Sequence, residues 1–112
     1  MKYNKLVRDK IVAKIQMDNQ VVQYHNIDVP AQRIAVLIDK FQEERTELIE
    51  AVTNDGNILD EIVDVIEVLH AIGLHYGYSE GKIKRARRRK ALRFGGFKHF
   101  YFLETVQKPD EN

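Results

Sequence analysis

The sequence predicts a mainly α-helical protein of one domain, and three observations support this fold class. Apolar residues recur every three or four positions in several long stretches, which is the helical period. Residues typical of turns and helix ends separate these stretches. The length of 112 residues fits one domain. We therefore expect four helices with an antiparallel central pair, in a single domain over residues 1–112 whose four-helix core is completed by oligomerisation.

The N-terminal third is predicted to contain one helix and, after it, an extended segment. Apolar spacing predicts a helix over residues 4–17. Residues 21–27 form a β-branched and aromatic run that favours a short strand. The aromatic tail over residues 97–103 favours a second strand. If these two segments pair, the protein has a short two-stranded β element beside its helices.

Two long helices form the predicted centre of the fold. The second helix covers about residues 29–53, since Pro30 is tolerated in a first helical turn. Residues 54–57 have the composition of a turn. The third helix covers residues 58–76 and ends at Gly77. Because a short turn joins them, the two helices should be antiparallel neighbours with axes about 8–10 Å apart.

The fourth predicted helix is strongly basic. Ser79 is a suitable N-cap, and Gly95-Gly96 is a helix stop. Between residues 79 and 98, nine basic residues oppose one acidic residue, whereas residues 28–67 hold eleven acidic and three basic residues. This separation fits a site for partners of opposite sign, such as a metal cation and a phosphate. It equally fits two solvated helix faces.

Composition excludes several kinds of chemistry. The chain has no Cys, which excludes disulfides, Cys-ligated zinc, iron–sulfur clusters and thiol nucleophiles. No apolar run approaches the roughly 20 residues of a membrane span, so we expect no membrane partner. Residues 1–14 carry charges where an export signal needs an apolar core, so we expect a cytoplasmic protein.

The third helix carries carboxylates on its apolar side. At about 100° per residue, Glu61 falls between Val65 and Val68 on the helical wheel. Asp64 borders the same apolar stripe. Glu67 falls on the opposite, polar face.

The second helix repeats this arrangement. Glu44 lies in the apolar sector, with Glu47 and Lys40 at its edge. Glu43 and Glu50 point away from that sector. Each helix therefore presents two inward carboxylates three residues apart, a spacing that places their Cβ atoms roughly 5–6 Å from each other.

Four inward carboxylates need a compensating charge. Burying a carboxylate without a partner is costly, and grouping several adds repulsion. Lys40 cannot neutralise four acids, whereas a divalent cation can, and oxygen ligands favour Mg²⁺ or Mn²⁺. Alternatively, Glu44 and Glu61 reach only the rim of the apolar stripe, or pair with Arg or Lys from another helix. The first interpretation predicts a metal site formed by Glu44, Glu47, Glu61 and Asp64.

The same acids belong to a recognisable pattern. It consists of the segment 43–47 (EERTE) and, after a gap of thirteen residues, the segment 61–64 (EIVD). The pair resembles the E-E-x-x-E … E-x-x-D signature of the MazG-like all-α nucleoside triphosphate pyrophosphohydrolases. The opening 3–11 (YNKLVRDKI) and the closing 95–97 (GGF) are similar to a subgroup labelled phosphoribosyl-ATP pyrophosphohydrolase-like. The resemblance spans residues 3–104.

The chain departs from the subgroup pattern at three places. Val12 stands where Pro usually follows D-K-I. Phe94 stands where Arg usually precedes G-G-F, with Arg93 one place earlier. The segment 64–67 (DVIE) replaces the D-L-x-Y-H pattern associated with the histidine-pathway enzyme. Phosphoribosyl-ATP is therefore a disfavoured substrate.

The resemblance implies an activity and a set of metal ligands. The activity is Mg²⁺-dependent hydrolysis of a nucleoside triphosphate to the monophosphate and pyrophosphate, with Mn²⁺ as a second candidate cofactor. Glu43 or Glu47 would take the proton of the attacking water, and the choice between them stays open. The metal ligands that carry over are Glu44, Glu47, Glu61 and Asp64.

The resemblance also suggests substrate contacts and an assembly. Lys40 is the first candidate for a phosphate contact, while Lys5 and Arg8 follow from the opening motif. Arg93 is the corresponding candidate near the closing motif. Phe97 is a candidate for stacking on the base. Family members are typically homodimers or homotetramers, and we expect one of these states here, with a nucleotide as the substrate.

The basic helix supports a different function. Residues 82–93 would bind nucleic acid, in a regulatory or nucleic-acid-binding helical module whose acidic cluster is not catalytic. The same run also fits triphosphate contacts, and it fits a solvated surface or a subunit interface.

Overall fold

The computed structural model describes residues 2–110 and is all-helical. Its helices are α1 (Ile11–Met17), α2 (Pro30–Thr53), α3 (Ile58–His75) and α4 (Glu80–Phe94). The chain divides after Glu80 into two compact units. The all-α class and the number of helices are thus as predicted from the sequence.

The two segments favoured as strands do not form one within residues 2–110. Residues 21–27 are mostly exposed and lack regular structure, with the Val21 side chain 96% accessible. Residues 97–103 are also exposed. A short strand is stable only when it pairs and covers one face. β-Propensity without such packing is therefore insufficient here.

The first helix is shorter than predicted, since α1 begins at Ile11 and not at Asn4. The backbone at Asn4 has φ 46°, a left-handed conformation that interrupts a right-handed helix. Asn19, with φ 61°, lies just past the other end of α1, where Asn is tolerated in this conformation. Residues 4–10 form a non-helical segment, and two of their side chains reach the acids of α2 and α3.

Local sequence signals define the junction between α2 and α3. Pro30 occupies the first turn of α2, after an extended Val29. The side chain of Asn57 caps α3 by accepting a hydrogen bond from the Asp60 amide at 3.1 Å. Between the helices, a Cβ on Gly56 would lie 3.2 Å from the Cα of Ala51. The absence of a side chain at this position permits the tight turn.

The end of α3 follows from one glycine. Gly77 has φ +82° and donates a backbone hydrogen bond to Leu74 at 3.0 Å, while Tyr78 donates to Gly73 at 2.8 Å. These two bonds form a Schellman motif, in which a glycine adopts the left-handed conformation at little steric cost. The predicted stop at this glycine is therefore correct.

Helices α2 and α3 pack against each other, but the pair has a thin core. Its buried side chains include Ala51 and Val68, together with the charged Glu44. Many large apolar side chains on the two helices stay at least 40% exposed, including Ile38, Ile49, Val52, Leu59, Val63 and Leu74.

The second unit is dominated by the basic helix. The side chains of α4 are exposed apart from Ile83 and Ala86, which are half-buried. The tail that follows carries exposed aromatic residues, among them Phe100 and Tyr101. None of the helices in residues 2–110 has both the length and the apolar character that a membrane crossing requires.

Candidate metal centre

Four carboxylates converge where α2 meets α3. Glu44 and Glu47 are one turn apart on α2, and Glu61 and Asp64 are one turn apart on α3. One oxygen from each of the four lies within 4.8 Å of the corresponding oxygens of the others. We call these residues the four-carboxylate cluster. The helical period predicts this inward placement, and the packing of the two helices brings the two pairs together.

The cluster contains carboxylate oxygens that lack a partner. Glu44 is 6% exposed, and its Oε2 is buried without a hydrogen bond within the described residues. The Oε2 of Glu61 is in the same condition. Leaving a buried polar atom unsatisfied costs about 1–3 kcal/mol, and more when it is charged. These oxygens therefore lie where a bound cation would satisfy them.

One lysine partly balances the charge of the cluster. The Lys40 ammonium lies 3.1 Å from Glu44 Oε1 and 3.4 Å from Glu43 Oε1. Burial acts to lower the pKa of Lys40, but the hydrogen bond to Glu44 and the charges of Glu43 and Glu44 outweigh it, so the pKa is raised. Lys40 is thus a fixed positive charge beside the cluster.

Glu47 has the most perturbed acid–base equilibrium of the cluster. Its pKa is raised to about 7. The largest cause is desolvation by burial, followed by a hydrogen bond to Glu44 and by the charges of Glu44, Glu61 and Glu43. Near neutral pH and without a metal, this carboxyl exchanges its proton readily. Crowding of like charges is the condition that a divalent cation would relieve.

The N-terminal segment supplies two further cations. The Lys5 ammonium lies 3.3 Å from Glu43 Oε1, and the Arg8 guanidinium donates a hydrogen bond of 2.7 Å to Asp64 Oδ1. The opening motif predicts both cations as phosphate contacts but indicates no carboxylate partner for them. The partners are 38 and 56 residues away along the chain, so no helical period could reveal them.

A small cleft adjoins these cations. It has a volume of about 140 Å³ and lies between the N-terminal segment and α2. Lys5, Lys40 and Glu43 of its lining are site candidates from the sequence, whereas the other four residues are not, because no sequence pattern assigns them a role. The lining residues are Asn4, Lys5, Leu6, Val36, Asp39, Lys40 and Glu43.

Glu43 is more covered than its place on the helical wheel suggests. The helical wheel points it away from the apolar sector, yet it is half-buried and its Oε1 is shared by Lys5 and Lys40. The wheel considers one helix alone, and it cannot show that the N-terminal segment lies against α2 and covers this side chain. Glu43 remains outside the four-carboxylate cluster.

The two remaining predicted site residues belong to the second unit. The Arg93 guanidinium lies over the Phe94 ring, 5.0 Å from its centroid, which is a cation–π contact. Phe97 is 92% exposed. Their suggested roles in phosphate binding and base stacking stay predictions.

The donor set of the cluster fits a hard divalent cation. All four ligands are carboxylates, which suit Mg²⁺, Mn²⁺ or Ca²⁺ better than the softer transition metals. The unsatisfied oxygens of Glu44 and Glu61 and the raised pKa of Glu47 agree with this assignment. The cluster could therefore hold a metal ion.

Comparison of the chain with protein-family models, with curated protein sequences and with solved structures finds no match.

Proposed function

We propose that this protein is a Mg²⁺-dependent nucleotide pyrophosphohydrolase of the MazG-like kind, which hydrolyses a nucleoside triphosphate to the monophosphate and pyrophosphate. One observation carries the proposal: four carboxylates from two helices converge within 4.8 Å, with buried oxygens that lack a partner. These are the residues that match the acidic motif of that family. Their convergence supports the proposal because it does not follow from the motif alone.

The metal would be held by Glu44, Glu47, Glu61 and Asp64. When bound, a divalent cation offsets phosphate charge and makes an attacking water more acidic. The protein's own part is to orient the four carboxylates and to shield Glu44 from bulk water. The burial of Glu44 serves this purpose.

Glu47 and Glu43 remain the two candidate bases. The pKa of about 7 describes Glu47 without a metal, and a bound cation would lower it. Glu43 lies outside the four-carboxylate cluster, but Lys5 and Lys40 both lie within 3.4 Å of one of its oxygens. A Glu47→Gln variant should lose more activity than Glu43→Gln, because it also removes a proposed metal ligand.

The cations beside the cluster fit a polyphosphate substrate. Lys40, Lys5 and Arg8 surround the acids on the side of the N-terminal segment. Lys5 and Arg8 are about half exposed, so they can exchange a carboxylate partner for a phosphate oxygen. In this proposal the cleft beside Lys5 and Lys40 receives part of the nucleotide.

We also propose that α2 and α3 form an antiparallel hairpin whose apolar faces pack against those of a second copy. The turn between the helices is short, which favours antiparallel neighbours. Many apolar side chains of α2 and α3 stay exposed when the two helices pack only against each other. A second copy of the pair would cover them. A homodimer or homotetramer would complete the four-helix core.

The test is pyrophosphate release from a panel of ribo- and deoxynucleoside triphosphates, with Mg²⁺ and with a chelator. We expect metal-dependent release from at least one member. Glu61→Gln should reduce it by at least about 100-fold, since the variant removes a charged ligand of the metal. Glu67→Gln is the matched control, because Glu67 is an exposed acid on the same helix.

Three results would contradict the proposal. Release that is insensitive to the chelator would exclude a metal-dependent reaction. Equal losses in Glu61→Gln and Glu67→Gln would show that the cluster is not the site. Absence of both metal binding and release would reject the enzyme altogether.

A second candidate function, nucleic-acid binding by the basic helix, is favoured by one observation. The five arginines of α4 have no carboxylate within 4 Å among the described residues. Exposed cations of this kind bind phosphate backbones with a strong dependence on salt. Binding to a random duplex that weakens steeply between 50 and 200 mM salt, about as expected for counterion release, would support this function.

A further inference from the structure

Arg8 forms an ion pair with Asp64, which is one of the predicted metal ligands. Its Nη2 lies 2.7 Å from Asp64 Oδ1, a short distance for a charge-assisted hydrogen bond. Arg8 comes from the non-helical N-terminal segment, whereas Asp64 lies on α3. The guanidinium therefore compensates a carboxylate that the proposed metal would also use.

The ion pair between Arg8 and Asp64 contributes to the charge balance of the four-carboxylate cluster. Its four carboxylates are offset by two close cations, Lys40 on Glu44 and Arg8 on Asp64. Lys40 is 16% exposed and held on the same helix as Glu44. Arg8 is 51% exposed and belongs to a segment outside the helices. Of the two cations, Arg8 is thus the one that is free to move when another positive charge arrives.

We propose that Arg8 and the divalent cation compete for Asp64, and that Arg8 transfers to a phosphate oxygen when the nucleotide binds. This inference rests on the proposed function. Two positive charges on one carboxylate repel each other, so a bound metal weakens the Arg8–Asp64 pair. A phosphate group then offers the guanidinium a better partner, since it accepts bidentate hydrogen bonds.

Lys5 provides an internal comparison. It reaches the same region from the same segment, but its partner Glu43 lies outside the four-carboxylate cluster. Removal of Lys5 therefore leaves all four ligands as they were. Of the two cations of the N-terminal segment, only Arg8 pairs with a proposed metal ligand.

The competition predicts effects of opposite sign for a single substitution. Without phosphate, Arg8→Gln removes a competitor, so the affinity for metal should rise. With phosphate present, the same substitution removes a ligand, so the affinity for phosphate should fall. A residue with a merely structural role would weaken both.

The experiment is calorimetric titration of the full chain with Mn²⁺ alone, then with inorganic pyrophosphate in saturating Mn²⁺. For Arg8→Gln we expect Mn²⁺ affinity to rise about two- to fivefold, the range for a partly exposed ion pair. Pyrophosphate affinity should fall at least about tenfold, the scale of a charge-assisted hydrogen bond. Arg8→Lys keeps the charge and should recover part of both changes.

Two controls complete the design. Lys5→Gln should change Mn²⁺ affinity less than Arg8→Gln does, because its partner Glu43 is not a ligand. Arg33→Gln breaks the pair with Asp28, which is not part of the cluster, and should leave both affinities unchanged. Thermal melting of each variant without metal shows whether it is folded.

The outcomes separate this inference from the proposed function. If wild type does not bind Mn²⁺, the metal centre itself is rejected, and the competition with it. If wild type binds Mn²⁺ but a folded Arg8→Gln binds it equally or more weakly, only the competition is rejected. Unchanged pyrophosphate affinity in a variant with raised Mn²⁺ affinity would reject the transfer to phosphate.

Discussion

The acids of α2 and α3 and the cations of α4 are comparable in number, but they differ in burial and in their ion-pair partners. On α2 and α3, Glu44 is almost fully buried and Glu47, Glu61 and Asp64 are half-buried beside it. On α4, every arginine is exposed to solvent. The acids share cations that come from a distant segment, whereas the arginines stay without a carboxylate neighbour in the described residues.

This difference shows that an excess of charge does not by itself locate a site. Solvent screens exposed charges, and their spacing then has little energetic consequence. Burial removes that screening, so like charges held together are costly unless a ligand offsets them. The acidic region satisfies this condition and the basic helix does not.

The largest effect on Mg²⁺ binding should come from removing the most buried of the proposed metal ligands. Glu44→Gln should weaken Mg²⁺ binding at least about 100-fold, above the 10- to 100-fold typical of a residue that only supports a ligand. Arg88→Gln on α4 should leave Mg²⁺ binding unchanged. Calorimetry measures both variants, and similar effects in the two would contradict the contrast.

A smaller effect is expected from the lysine beside the cluster. Lys40→Gln leaves the buried Glu44 without its cation, and in metal-free protein this should destabilise the fold by about 2 kcal/mol, below the value for a fully buried pair. Lys84→Gln removes an exposed cation and should change stability by less than about 0.5 kcal/mol. Urea denaturation measures both, and a larger loss in Lys84→Gln would be inconsistent with the burial argument.

The pH dependence of stability should reflect Glu47. Its pKa is raised to about 7 in the folded protein, against an ordinary value of 4.5, so the folded state holds this proton more tightly than the unfolded state. The resulting stabilisation is complete below pH 4.5 and is lost as pH rises through 7. Melting in chelator should show this fall, and Glu47→Gln should remove it. Adding Mg²⁺ at pH 8 should restore stability in wild type.

The smallest effect on catalysis is expected from the exposed arginines of α4. Replacing Arg87, Arg88 and Arg89 together by Gln should change kcat/KM for pyrophosphate release less than about threefold, because screened charges contribute little. Steady-state kinetics provides the measurement. A loss of tenfold or more would place α4 in the substrate site, and unchanged kinetics with abolished duplex binding would favour the nucleic-acid function.

The inward acids could be predicted from the sequence because helical geometry is local. The wheel places Glu44 and Glu61 among apolar residues, and the two lie together in the structure. The wheel does not reveal the contact of Glu43 with Lys5, because that lysine lies 38 residues away along the chain. The first helix is too long in the prediction for a related reason: apolar spacing does not register the left-handed backbone at Asn4.

The sequence by itself determined the helices and most of their ends. Pro30 starts α2, Asn57 caps α3 and Gly77 ends it, since each acts through its own backbone and its near neighbours. Only the tertiary structure decided the two features on which the proposed chemistry depends. They are the pairing of Arg8 with Asp64 and the crowding that raises the pKa of Glu47. Arg8 and Asp64 are 56 residues apart along the chain. The pKa of Glu47 depends first on its burial, and then on Glu44 and Glu43 of its own helix and on Glu61 of α3. The energies of both features depend on distance and burial in three dimensions, which no local pattern encodes.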